Sequence, residues 1–578
     1  EMCIRDSYLA NYYWRIIRIN GDGGIRMIYD GTTPHDNGES STDRQIGTSA
    51  FNSSASSNTY VGYKYGSPTA TTYEETHKNT TNSTIKQAVD SWYKTNISDK
   101  EFSSYLVDSI YCNDRSLSSG TGIGTTETNY KALERLNENK TPTFYCKQNN
   151  DKFTVNTSKG NGSLQYPVGL ITADEVAYAG GVYNTNNSKY YLYNGNNYWT
   201  MSPAHFGGAI EFGLYPSGNL GVNVVSPTGG IRPVITLNGS TKLEGTGTKT
   251  DPFKIDVAKN TLTQLGLTEN TDTPDFSKTS CSDGCEESTV GIYKAQDDIG
   301  TSYYFRGDVE NNYVYFANYY WRIIRINGDG SVRMIYDGTS AHPNGYNDYG
   351  TYDTRIGISQ FNSSYNDNAY VGFMYGTTGA STYAETHANT NDSTIKTTLD
   401  TWYTNNIEDT TNEQYIVDAI YCNDREVSTA DTNFTGDGTG TTKTAYKALE
   451  RQYTNKTPTL QCNQVNDRFT VSASVSGVTG NSKLTNAIGL ITADEVSYAG
   501  GTVNNFNGKY YLYTNSLCWT MSPGFYSDSN ADEFATGGYN NGINYAGGYL
   551  DVRPVISLSS SALKYGNGSS SDPFRTNS

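Results

Sequence analysis

The chain is poor in the features that mark several large functional classes. It has no run of roughly 18 consecutive apolar residues, so no segment of it reads as a membrane-spanning helix. Basic residues are the minority: 42 Lys and Arg stand against 59 Asp and Glu, for a net charge of −17. A nucleic-acid-binding surface needs a basic face, so that class is set aside. Only 5 His and 6 Met occur among 578 residues. No G-x-S-x-G, phosphate loop or H-E-x-x-H is present, so hydrolases, P-loop enzymes and zincins of those types are not indicated. Apolar residues make up only 35%. What is abundant is tyrosine, with 50 copies, and aromatics reach 13%. Disordered chains are aromatic-poor, so this polar chain reads as folded, with aromatic rings supplying large burial per residue.

An internal repeat organises the chain. Asn11–Gly23 (NYYWRIIRINGDG) returns unchanged at Asn318–Gly330. STIK-x-x-x-D-x-WY recurs at Ser83 and Ser393, IYCNDR at Ile110 and Ile420, GLITADEV at Gly169 and Gly489, and WTMSP at Trp199 and Trp519. The spacing grows from 307 residues at Trp14/Trp321 to 321 at Arg232/Arg553, so the copies differ by loop insertions. A period this long is not a solenoid repeat, and each copy is expected to bury its own core. The expected boundaries are module 1 at 8–257, a Thr-, Asp-, Asn- and Ser-rich linker at 258–288, and module 2 at 289–575. Residues 1–7 match nothing in the second copy. They resemble adapter read-through at the end of a metagenomic contig and are set aside, and the chain reads as a fragment. Module 1 has no counterpart of Thr289–Val314, so a missing strand or an exposed edge is expected there.

Local signals indicate an α+β fold. Trp14–Asn20 and Ile25–Tyr29 flank Gly21-Asp22-Gly23-Gly24, a hairpin signature. Ile85, Val89 and Trp92 mark one apolar helix face. Further helices are expected at Ser104–Tyr111 and Tyr130–Leu136. Thr172 and Glu175 form a capping box. Short strands are expected near Tyr190–Tyr193, Tyr198–Met201 and Ile231–Leu237. Cys112 and Cys146 reappear together as Cys422 and Cys462, which predicts one disulfide per module and an oxidising compartment, extracellular or at the cell surface. Cys281 and Cys285 either close a small loop or contribute to a metal site that needs two more ligands. Cys518 stands where copy one has Tyr198.

The ordered series WRIIRINGDG, S-x-I-K-x-x-x-D-x-W-Y, GLITADE, W-T-M-S-P and R-P-V-I resembles a large family of Firmicute surface-protein repeats. Their W-x-x-S-P segment is followed by V-R-P and a closing P-F/Y, here Arg232-Pro233 with Pro252-Phe253 and Arg553-Pro554 with Pro573-Phe574. The resemblance implies a tandem pair of formylglycine-generating-enzyme-like, or C-type-lectin-like, modules with short strands and a few helices. Formylglycine-generating enzymes need a cysteine pair that holds copper. The late part of module 2 offers only Cys518, and that of module 1 offers none. The E-P-N, Q-P-D and W-N-D triplets of calcium-dependent lectins do not occur. No cofactor and no metal site is therefore expected.

Other pairings have plain structural readings. Asp174-Glu175 and Asp494-Glu495 resemble an acid/base pair, but neighbours on a helix do not face each other and a capping box accounts for them. His77 and His387 follow Glu75 and Glu385, a thin ligand set. Asn20–Asp22 and Asn327–Asp329 fit calcium, or simply a turn. Arg232 and Arg553 fit a buried ion pair better than a functional guanidinium.

The copies diverge most between WTMSP and RPVI. Copy one places His205, Phe206, Phe212 and Tyr215 there, and copy two Phe525, Tyr526, Phe534, Tyr539 and Tyr545. Aromatics among small polar residues are the chemistry of a recognition surface. The expectation is a non-catalytic extracellular recognition or adhesion protein that takes a glycan or protein ligand on this segment, presented as an irregular exposed face. The alternatives are a structural surface repeat without a ligand and an enzyme of the formylglycine-generating type.

Overall fold

The computed structural model describes residues 5–430, 432–527, 529–537 and 542–577. The chain divides into two compact units, Glu1–Ile255 and Asp256–Ser578. Each has its own core, and both are mixed α+β with small sheets and few helices.

Unit 1 opens with strands β1 (Asp6–Leu9), β2 (Tyr12–Ile19) and β3 (Ile25–Gly31). Helices α1 (Thr84–Tyr93) and α2 (Ala173–Tyr178) follow, then β4 (Tyr198–Phe206), β5 (Ala209–Leu214), β6 (Leu220–Val224) and β7 (Val234–Leu237). One sheet runs β1-β2-β3-β7, and β4, β5 and β6 form a meander in a second. The N-G-D-G sequence makes the β2–β3 turn, with the Gly24 N–H donating to the Asp22 carboxylate at 3.1 Å. Ser83 caps α1 by accepting from the Lys86 N–H. Ile85 and Val89 on that helix enter the core, and Trp92 packs edge-on against Tyr29 at 5.7 Å and Trp14 at 6.3 Å.

Unit 2 begins with helix α3 (Val257–Gln264), followed by β8 (Gly291–Gln296), β9 (Thr301–Arg306), β10 (Tyr313–Phe316), β11 (Tyr319–Ile326) and β12 (Val332–Gly338). Helices α4 (Thr394–Asn406) and α5 (Ala493–Tyr498) come next, then β13 (Cys518–Ser527), β14 (Asn530–Thr536), β15 (Gly542–Tyr545), β16 (Val555–Leu558) and β17 (Phe574–Arg575). The repeated strands keep the same register. Trp14 opposes Tyr29 and Ile16 opposes Met27, as Trp321 opposes Tyr336 and Ile323 opposes Met334, with irregularities at matching places. In both units an early strand meets the closing segment in parallel: Val314 opposes Phe574, and Ser7 opposes Phe253.

Several sequence expectations are corrected. The segment 258–288 is not a free linker. Ala258, Leu262, Leu265 and Leu267 belong to the core of unit 2, because α3 presents a short apolar face within a polar sequence. Residues 6 and 7, set aside with the first seven, lie in β1, where Asp6 opposes Arg15 and Ser7 opposes Trp14. Strand pairing uses backbone groups and makes little demand on side chains. Ser104–Tyr111 is not a helix: Glu101–Tyr105 is a 3-10 turn and Tyr111–Cys112 a short strand. Tyr190–Tyr193 is turn rather than strand. In unit 2, β8 and β9 extend the sheet beside β11, with Tyr303 opposite Ile326 and Tyr304 opposite Arg325. Among the described residues, Ile19 is 70% exposed where Ile326 is fully buried.

Candidate functional site

The segment expected to recognise a ligand is mostly regular strand with its aromatics turned inward. WTMSP begins β4 and β13 rather than ending them, so the divergent residues continue as paired strands. Phe206, Phe212, Tyr526 and Phe534 are buried. Tyr215 folds back, its hydroxyl donating to the Val222 carbonyl at 2.9 Å. His205 is half-buried opposite Asn129, and Phe525 is half-buried against Phe434 at 5.3 Å. Tyr545 alone of the described set is exposed, and it packs against Tyr365. Tyr539 lies outside the described residues. An aromatic binding face is thus not formed: alternate residues of a paired strand point into the core whatever the sequence between them.

The other singled-out residues serve the fold. Arg232 is buried, with Nη2 2.6 Å from Asp30 and Nε donating to the Tyr29 carbonyl at 3.0 Å. Arg44 and Arg15 also reach Asp30, at 2.7 and 3.0 Å. Arg553 makes the looser equivalent pair with Asp337 at 3.3 Å. His77 is buried, with Nε2 on the Gly122 carbonyl at 3.0 Å, whereas Glu75 points to solvent. Burial and the nearby Arg115 push the His77 pKa down to about 3. Disulfides join Cys112 to Cys146 and Cys422 to Cys462, as their joint recurrence in the two copies predicted, and Cys281 to Cys285. No cluster of three or more potential metal ligands occurs among the described residues.

A cleft of about 470 Å³ lies in unit 1, beside the Cys112–Cys146 bridge. Its floor follows from the capping box. Thr172 accepts from the Glu175 N–H at 3.1 Å, and the Glu175 carboxylate returns to the Thr172 N–H at 3.0 Å. That arrangement fixes Glu175 facing β2 and β3, where it meets Arg26 at 2.7 Å and Arg18 at 3.0 Å. Burial opposes ionisation of Glu175, but the two guanidiniums outweigh it and hold the carboxyl below its ordinary pKa. Asp174 forms a two-pronged pair with Arg135 at 2.9 and 2.8 Å, and Arg135 also reaches Asp114 at 2.8 Å. The floor is therefore an ionised network with each carboxylate already engaged. The walls are softer. The Arg18 guanidinium lies over Phe144 at 4.6 Å, and Phe144 packs on Tyr178 at 4.2 Å. Phe144, Tyr145 and Tyr178 are all exposed.

The matching place in unit 2 keeps the charged floor of Arg325, Arg333, Asp494 and Glu495, has Leu460 and Gln461 where unit 1 has Phe144 and Tyr145, and encloses about 30 Å³. The turn between β8 and β9 adds Asp298 to its lining. Asp297 meets Arg325 at 3.0 Å, and Asp298 accepts from the Cys462 N–H at 3.0 Å. Above them Tyr304 covers Tyr498 at 4.5 Å. Sequence reasoning missed this cleft as a site. No protein-family model, curated protein or solved structure matches the chain.

Proposed function

We propose that the protein is a non-catalytic recognition or adhesion protein acting outside a bacterial cell, a tandem pair of C-type-lectin-like modules whose first unit takes a glycan or protein ligand in the cleft beside Cys112–Cys146. One observation carries this reading. Among the described residues, Arg18, Phe144, Tyr145 and Lys159 line a cleft of about 470 Å³ in unit 1, a volume in the range of ligand sites. Binding fits the chemistry better than turnover. Asp174 and Glu175 are fixed in ion pairs, and Glu175 is held ionised, so neither is poised to pass a proton. Three disulfides suit an oxidising compartment.

The test is glycan- and protein-array binding by the full chain, compared with a Tyr145→Ala, Lys159→Glu double variant. Both side chains line the cleft and are largely exposed, so the fold has little stake in them. The expected result is a ligand lost by the variant with no change in melting temperature. Equal binding by the two proteins refutes the cleft as the site.

A further inference from the structure

Most aromatics of the β13–β15 meander turn inward, but one row across it stays at the surface of unit 2. Phe525 on β13 opposes Asp532 on β14, and Asp532 opposes Tyr545 on β15. Residues directly opposite on paired strands share a face, so the three side chains stand abreast with the carboxyl in the middle. Phe525 and Asp532 are half-buried and Tyr545 is exposed. Phe434 packs on Phe525 at 5.3 Å and Tyr365 on Tyr545 at 5.4 Å, which steadies the two flanking rings.

The carboxyl is the anomaly. Among the described residues no cation and no hydrogen-bond donor meets the Asp532 side chain, and burial alone pushes its pKa up to about 7. An acid half-buried without a partner costs stability. The matching row of unit 1 is His205, Ile210 and Val224, in the same register. An apolar side chain therefore serves the fold at this position, and the strand itself has no need of the acid.

We propose that the row of unit 2 binds a lysine side chain of a partner protein, its ammonium on the Asp532 carboxylate and its methylene stem between Phe525 and Tyr545. The proposal does not rest on the cleft of unit 1. Neighbouring strands lie about 4.8 Å apart, so the outer two residues are separated by roughly 10 Å at the backbone, a width that takes one unbranched chain between two rings. The stem covers ring surface, and the ammonium is drawn by the π faces as well as by the carboxylate. A neutral hydroxyl ligand would leave the carboxylate without the opposite charge that burial denies it. The net charge of −17 favours encounter with a basic partner.

The experiment is saturation-transfer NMR on the full chain with Nα-acetyl-lysine methylamide as probe. Two companions are run beside it: the norleucine analogue, which keeps the stem and lacks the ammonium, and glucosamine. The expected result is transfer to the lysine methylenes, little transfer to norleucine, and binding weakened about tenfold by Asp532→Asn or by Tyr545→Ala. Asp532→Asn should leave the melting temperature unchanged or raise it, since it removes an unpaired acid; a fall would mean that the acid serves the fold and overturns the assignment. The Tyr145→Ala, Lys159→Glu variant should bind the probe as the parent does, and loss of binding there would place the lysine in the cleft instead. Absence of transfer at about 10 mM probe overturns the proposal. So does equal transfer to the norleucine analogue, or equal binding by Asp532→Asn. Transfer to glucosamine alone would assign the row to an amino sugar and remove the protein partner.

Discussion

Asp30→Asn tests how unit 1 holds its buried charge. The substitution preserves shape and removes one negative charge from among three guanidiniums, those of Arg15, Arg44 and Arg232, all within 3.0 Å of the carboxylate. Asp6 reaches Arg15 but neither of the others in an ion pair, so Arg44 and Arg232 would be left without a carboxylate. Breaking a buried pair by removing one partner costs about 3–5 kcal/mol, since the remaining charge stays desolvated. Unit 2 supplies a matched comparison. Thr354 stands in the place of Arg44. Asp337 contacts Arg553 at 3.3 Å, and Arg322 donates its hydrogen bonds to the side-chain oxygens of Asn312 and Asn344 and to carbonyls. Burial raises the Asp337 pKa even against its two arginines. Asp337→Asn should therefore cost less, about 1–2 kcal/mol. With a urea slope of roughly 3–4 kcal/mol per molar for a unit of this size, Asp30→Asn lowers the midpoint of unit 1 by about 1 M. Asp337→Asn should lower that of unit 2 by less than half as much. Hydrogen exchange of peptides from α1 and α4 reports the two units separately. Equal shifts, or a larger one for Asp337→Asn, would refute the argument.

Replacing Cys112 and Cys146 together by Ser frees a 34-residue loop and should cost about 3–4 kcal/mol in urea denaturation, and the reasoning fails if the loss is under about 1 kcal/mol. Glu211 and Glu533 are fully buried, their carboxylate oxygens have no hydrogen-bond partner among the described residues, and burial pushes both pKa values well above the ordinary range. The native state thus keeps protons that the unfolded chain releases near pH 4.3, so this contribution is complete below that pH and is lost as pH rises toward the folded values. The Glu211→Gln, Glu533→Gln variant should show a flatter decline of melting temperature on the alkaline side, and parallel profiles would mean the carboxyls are not held protonated. Ile326→Asp places a charge in a core and should destabilise unit 2 by several kcal/mol. Ile19→Asp at the matching position should be nearly neutral in the same melt, and an equal loss would mean that the β2 edge is not open.

Local chemistry was readable where a side chain dictates the backbone. Thr172 with Glu175, the N-G-D-G turn, the Ile85–Val89–Trp92 face and the paired cysteines each depend on the residue type itself, and each is found as expected. Beyond Tyr198–Met201, which was expected as strand, the meander β4–β5–β6 was not readable, because hydrogen bonds between strands involve only the backbone. Sequence there can drift between copies while the fold persists, and the drift resembled a loop. Helix α3 was hidden for a related reason: Ala258 and Leu262 are its main apolar contacts in a segment rich in Thr and Asn. The cleft gathers Arg18, Arg135, Phe144 and Glu175 from elements far apart in the sequence, and no local pattern announces such a meeting.

The parallel contact between the early and closing strands gives each unit a mechanical character. In unit 1 the Tyr8 N–H donates to the Phe253 carbonyl at 2.8 Å, and the Phe253 N–H to the Asp6 carbonyl at 2.8 Å. In unit 2, β10 and β17 run side by side in the same sense. When two parallel strands are drawn apart, one from its start and the other from its end, tension runs along both strands and across the bonds between them. Those bonds are loaded in shear and must fail together, whereas an antiparallel hairpin pulled at its open end unzips bond by bond. Forced unfolding is governed by the unfolding rate rather than by equilibrium stability. Pulled between residues 7 and 253, unit 1 should therefore yield at a higher force than when pulled across the β2–β3 hairpin.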